Sequence, residues 1–107
     1  MRGRKKIGDS VDALVVALCL DYERRRRAVA DACVTHRTEM EYRYLNFKIL
    51  TAATEIVGEE YAQTMIRDIG EGVGYAYTDL YLMSESSYKI KKAQVRENIA
   101  RKLHLID

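Results

Sequence analysis

The sequence predicts an all-α fold, a small helical bundle of about five helices. Three observations point there. No proline occurs in the 107 residues, and small strand-rich domains lean on the turn punctuation that proline supplies. Apolar residues recur at three- and four-residue steps through most of the chain, the period of a helix with one buried stripe. Polar residues able to cap stand where such runs begin. The length is that of one domain. With 48 % apolar and 32 % charged residues, the chain can bury a core and is not of disordered composition.

Residues 1–8 read as a flexible tail, basic through Arg2, Arg4, Lys5 and Lys6. Arg2-Gly3-Arg4 has the composition of a minor-groove hook but lacks the following proline, so any contact with nucleic acid would be electrostatic. Gly8-Asp9-Ser10 follows the basic start where a secretory signal would place an apolar segment. Asp9 or Ser10 caps the first helix, which the pattern Val11, Leu14, Val15, Leu18, Tyr22, Val29 carries to about Val34. Its apolar run from Ala13 to Leu20 is far short of the ~20 residues a membrane helix needs. Arg24 to Arg27 are four successive helical residues and so point all round the axis. Pairing with Asp21, Glu23 and Asp31 accounts for them; alternatively one or two of them supplement a phosphate-binding surface. Cys19 and Cys33 lie in the apolar pattern with no second cysteine or histidine at metal-ligand spacing, and both are expected to be reduced core thiols of a cytoplasmic protein.

His36 falls in the expected break. Thr38 with Glu41 three residues on reads as a capping box opening the second helix. Met40, Tyr44, Phe47, Leu50, Thr51, Thr54 and Val57 trace one stripe, with Leu45, Ile49 and Ile56 beside it, and a stripe so wide predicts burial on two sides. The aromatic cluster from Tyr42 to Phe47 could stack on bases, but its helical spacing assigns it to the core. Gly58 ends the helix. A third helix follows from Glu59 to about Ile69, with Tyr61, Ala62, Met65, Ile66 and Ile69 apolar. Gly70, Gly72 and Gly74 have no strand before them and no Lys-Ser or Lys-Thr after them, so they predict a helix stop and flexible turn rather than a nucleotide loop. A short helix from about Tyr75 to Tyr81 comes next.

The last helix begins at the N-cap Ser84, with Glu85 in its first turn where the helix dipole favours an acid. Tyr88, Val95, Ile99, Leu103 and Ile106 form its seam, with Lys92 in the one gap. Lys89, Lys91, Lys92, Arg96, Arg101 and Lys102 flank it, and against Glu85, Glu97 and Asp107 they leave this end at net +3. Residues 38–79 carry eight acids and three bases, net −5. The chain is therefore basic at both ends and acidic between them, although its overall charge is only +2. Short helix, tight turn and long capped helix, in that order, is the arrangement of a helix-turn-helix. The predicted organisation is a tail over 1–8, two long N-terminal helices over 9–58 offering a dimer surface, and a helix-turn-helix region over 59–107.

At this point the sequence resembles known proteins. Residues Met65 to Gly72, followed by Tyr75, Leu80 and Ser84-Glu85-Ser86-Ser87-Tyr88, are similar to the last helix-turn-helix of sigma factors. Tyr88-Lys89-Ile90-Lys91-Lys92 and the ending from Ile99 to Leu105 resemble the C-terminus of the ArpU and RinA type of phage-encoded transcriptional regulators. The likeness covers about residues 60–107. It departs at Leu82, where the family's turn holds glycine, and at Thr78, which takes the place of a small alanine. The resemblance implies a DNA-binding regulator, phage or prophage encoded, that reads the major groove of double-stranded DNA with helix 85–104, with RNA polymerase as a further partner; because one helix-turn-helix reads few base pairs, the two long N-terminal helices are expected to pair it as a homodimer.

Taken with helix geometry, the resemblance also implies faces. Tyr88, Val95 and Ile99 turn to the body, taking the Lys92 stem with them. Ser86, Lys89, Ile90 and Ala93, with Gln94 at the edge, turn to the groove. Lysine can donate to guanine, glutamine can pair with adenine, and Ile90 or Ala93 can meet a thymine methyl. Lys91, Lys92 and Arg96 would take phosphates, joined by the Ser84 and Ser86 hydroxyls. A second reading of Ile90 and Ala93, as a packing edge against the first helix, stands beside this one. The other functional class the residues allow is a non-catalytic helical interaction module whose basic helix meets an acidic partner. No cofactor and no enzymatic activity are expected: the two histidines lie near no cysteine or acid pair, and no metal cluster, nucleophile elbow or phosphate loop is present.

Overall fold

In the computed structural model, which describes residues 8–75 and 83–107, every regular element is helical. α1 (Asp9–Leu20) and α2 (Tyr22–Ala30) are separated by the single residue Asp21. The Asp21 amide still donates to Ala17 O at 3.1 Å, and its carbonyl accepts from the Arg25 amide at 3.1 Å. The two are thus one helical run with a local break. α3 (His36–Val57), α4 (Glu59–Glu71) and α5 (Glu85–Lys102) complete the set. Counting α1 and α2 as one run, the described residues hold four helical runs rather than the five expected. The fifth, the short helix over 75–81, lies outside the described residues except at Tyr75, and with it the first half of the expected helix-turn-helix.

α3 is the central element and packs against α2, α4 and α5, while α1 packs against α4 and α5. The core joins Val15 and Cys19 of α1, Ile49, Ala52 and Ala53 of α3, Ala62, Met65, Ile66 and Ile69 of α4, and Tyr88, Val95, Ile99 and Ala100 of α5. The alanines on the facing sides of α3, α4 and α5 let the backbones approach. The closest approach is at Gly70: a Cβ there would stand 2.6 Å from the Leu20 Cα and N. Gly70 is therefore a packing residue inside α4, not the start of the turn; α4 runs on to Glu71 and reverses at Gly72, which is left-handed at φ 69°.

Other expectations need correction. The first helix stops at Ala30, not Val34, because Ala32 turns left-handed (φ 54°) while its amide bonds to Val29 O and that of Cys33 to Ala28 O. This is the Schellman pattern, here without glycine. Cys33 is consequently exposed, and Cys19 alone is a core thiol. Burial pushes the Cys19 thiol up to about 12, against a smaller lowering by Arg25 and Arg96. The cap of α3 is Thr35, whose hydroxyl accepts from the Thr38 amide at 3.3 Å, so the helix begins one turn earlier than a cap at Thr38 would allow. Leu14 faces outward, with Cys19 taking the inward place. Met40, Tyr44 and Phe47 are not core: they are 59 %, 51 % and 65 % exposed.

Two buried charged groups tie the elements. Arg25 is the one arginine of its run that turns inward. It donates to Asn46 Oδ1 at 2.7 Å and to the Leu18 carbonyl at 2.6 Å, with Asp21 at 3.4 Å. Leu18 belongs to the last turn of α1, whose carbonyls lack helical partners, so Arg25 satisfies the break and fastens it to α3. The remaining arginines pair at the surface, Arg24 with Asp21, and Arg26 and Arg27 with Glu23. The second buried charge, Asp68, belongs to the candidate site.

Candidate nucleic-acid interface

α5 starts as its sequence predicts. The Ser84 hydroxyl accepts from the Ser87 amide at 3.2 Å, and Glu85 sits in the first turn. Tyr88, Val95, Ile99 and Ala100 are buried, and this seam fixes how the helix lies on α3 and α1. The rotation that buries them leaves Ser86, Lys89, Ile90, Ala93 and Gln94 exposed together on the N-terminal half. Ile90 is 60 % exposed, so neither it nor Ala93 forms a packing edge against α1. An exposed helical surface about two turns long, with a serine, a glutamine, a lysine and two apolar groups, has the chemistry to meet base edges.

The expected phosphate-contacting cations are distributed differently. Lys89 lies 3.5 Å from Glu85, one turn earlier, with both side chains mostly in solvent. Such a pair is weak and readily exchanged. Lys91 is half-buried and has no carboxylate within ion-pairing distance among the described residues. Lys92 and Arg96 are engaged inward. Arg96 Nε stands 3.0 Å from Asp12 Oδ1, an ion pair without hydrogen-bond alignment that joins α5 to α1. Lys92 Nζ stands 3.1 Å from Asp68 Oδ2. Further along, Lys102 pairs with Glu55 at 2.7 Å, Arg101 with Glu97 at 2.9 Å, and Asn98 donates to Ala52 O at 3.0 Å.

Asp68 is the polar anchor of the site, and the residue that sequence reasoning missed. Its side chain is fully buried on α4. Oδ1 accepts from the Gly74 amide at 2.7 Å, Oδ2 accepts from the Tyr88 hydroxyl, and Lys92 supplies the counter-charge. Burial pulls the carboxyl up, but these three partners outweigh it and hold it below its ordinary value. Tyr88 is pushed above the ordinary phenol range by burial and by the carboxylate beside it. The Tyr88 ring also meets the Tyr75 ring at 5.4 Å, and the Tyr75 hydroxyl donates to the Met83 carbonyl. The end of α4, the glycine turn and the start of α5 are thereby held by one buried polar cluster. A signal did exist: Asp68 stands between the apolar positions Met65 and Ile69, and Lys92 fills the gap in the α5 seam.

Among the described residues no helix is long and apolar enough to cross a membrane, and no group of three His, Cys, Asp or Glu is placed to hold a metal ion. No family model matches the chain, and no curated protein or solved structure matches it.

Proposed function

We propose that this chain is a DNA-binding protein that lays the N-terminal half of α5 in the major groove of a duplex. The observation that carries this reading is the joint exposure of Ser86, Lys89, Ile90, Ala93 and Gln94 on one capped helix whose other face is buried. Lys89 and Gln94 are the candidates for base edges, with Ile90 and Ala93 for a thymine methyl. Phosphate contacts fall to Lys91 and to the Ser84 and Ser86 hydroxyls at the helix N-terminus, where the dipole also favours an anion. Lys92 and Arg96, with their charges turned onto Asp68 and Asp12, hold the helix rather than the DNA. The likeness of residues 60–107 to the ArpU and RinA type of regulators supports the same reading, with transcription as the process served and RNA polymerase as a partner.

A second reading, a helical module that binds another protein, is favoured by a different observation. Most α5 cations are already matched by carboxylates of the same chain, so its basic character serves the fold in part. Fluorescence anisotropy with random duplex DNA at increasing salt separates the two. DNA binding is expected to weaken steeply with salt, and Lys89→Ala with Lys91→Ala to weaken it further and to flatten the log–log salt slope by about one, for the phosphate that Lys91 contacts. Absence of binding at low salt, or equal binding by the double variant, would favour the protein-binding module.

A further inference from the structure

α3 has two apolar faces, and the bundle covers only one. Ile49, Ala52 and Ala53 are buried on the first. On the opposite side Met40, Tyr44 and Phe47, with Arg37 before them and the half-buried Thr51 and Thr54 after them, recur at steps of three and four, the spacing of a heptad seam. Its three large members are more than half exposed. Met40, Glu41, Tyr44 and Leu45 surround a shallow recess on this face.

We infer that this face pairs with the same face of a second copy, α3 against α3, antiparallel across a two-fold axis. Charge selects both the partner and the direction. Arg37 lies 3.7 Å from Glu41, and Arg43 2.8 Å from Glu39, so the rims are almost neutral and call for neither a strongly acidic nor a strongly basic partner. Lys48 is the exception: it stands over the Tyr44 ring at 5.4 Å and has no ion pair among the described residues. In a parallel pair, heptad geometry sets Arg43 of one copy against Lys48 of the other, a like-charge contact. In an antiparallel pair that layers Tyr44 on Phe47, Glu41 of one copy comes opposite Lys48 of the other, twice by symmetry. The seam is then self-complementary, as an isologous interface requires. Phe47 of each copy enters the recess beside Tyr44 of the other. From Arg37 to Thr54 the seam runs about 27 Å at the helical rise. The inference does not rest on DNA binding.

Sedimentation equilibrium of the full chain tests it, with circular dichroism to confirm that each variant keeps its helices. Phe47 projects from the bundle, so Phe47→Glu leaves the core intact; it should weaken the dimer by about 30-fold or more, as loss of a central aromatic anchor does. Glu41→Lys should weaken it by about threefold to tenfold, and adding Lys48→Glu should restore it. A native chain that stays monomeric overturns the inference. A dimer that survives Phe47→Glu, meaning another face, overturns it too. So does a dimer in which Lys48→Glu fails to rescue Glu41→Lys, because the antiparallel register would then be wrong.

Discussion

Lys92 places its ammonium 3.1 Å from the carboxylate of Asp68, a side chain with no exposure to solvent. An acid in that position is tolerable only because all of its partners are present, and they come from three places: the turn at Gly74, Tyr88 and Lys92 of α5. Losing one partner of a buried ionic cluster leaves the others unsatisfied, which costs more than the cluster itself contributes.

Asp68→Ala is accordingly expected to destabilise the protein by about 2–4 kcal/mol, read by urea unfolding followed by circular dichroism. Tyr88→Phe keeps the ring packing and loses one hydrogen bond, so it should cost about 1–2 kcal/mol. A cost for Asp68→Ala no larger than a surface substitution would mean that the cluster does not hold α4 to α5.

The same cluster sets limits on pH. Asp68 has a carboxyl held below its ordinary value in the fold. Its contribution is therefore present above the unfolded pKa of about 3.9 and is lost as pH falls through the lower, folded value. Glu55 and Asp21, held down by Lys102 and by Arg24, act in the same direction from the surface. Tyr88 is shifted upward, so its contribution is present below the unfolded pKa of about 10 and is lost as pH rises toward the folded value. Thermal unfolding across pH should show a plateau between those limits. Asp68→Asn should shallow the acid fall, and Tyr88→Phe the alkaline one. An acid limb unchanged in Asp68→Asn would rule out this carboxyl as its source.

Gly70→Ala should be costly for a single added methyl. The added carbon would meet backbone atoms of Leu20, which cannot rotate away as a side chain could. A penalty of about 1–3 kcal/mol is expected, even though alanine is the better helix former. Stabilisation by this substitution would show that α1 and α4 do not cross so closely.

Much of α5 was legible from residue pattern alone. The Ser84 hydroxyl has a cap's chemistry, and Tyr88, Val95 and Ile99 keep one period that only a helix explains. Other features left weaker traces. Periodicity says that one of four successive arginines must face inward but not which; Asn46, 21 residues on, decides for Arg25. The break at Asp21 contains neither glycine nor proline, so nothing local announces it. Met40, Tyr44 and Phe47 have the spacing of a buried stripe, and spacing cannot tell which of two stripes the bundle covers. The exposure of Cys33 leaves no trace in the pattern, because alanine at position 32 gives no hint of a left-handed turn. At Asp68 the charge by itself gives no sign of burial, because its partners lie up to 24 positions away. The short helix expected over 75–81, the first half of the expected helix-turn-helix, lies outside the described residues beyond Tyr75.

The placement of α5 has a consequence for synthesis on the ribosome. The other helices leave the ribosome first, yet four core residues, Tyr88, Val95, Ile99 and Ala100, and the cations that pair with Asp68, Asp12 and Glu55 belong to α5, which is translated after them. Until that segment emerges, the core lacks those four residues, and Asp68, Asp12 and Glu55 lack their counter-charges. A nascent chain without α5 thus exposes apolar surface that the complete bundle buries, which is the kind of surface that chaperones and proteases engage.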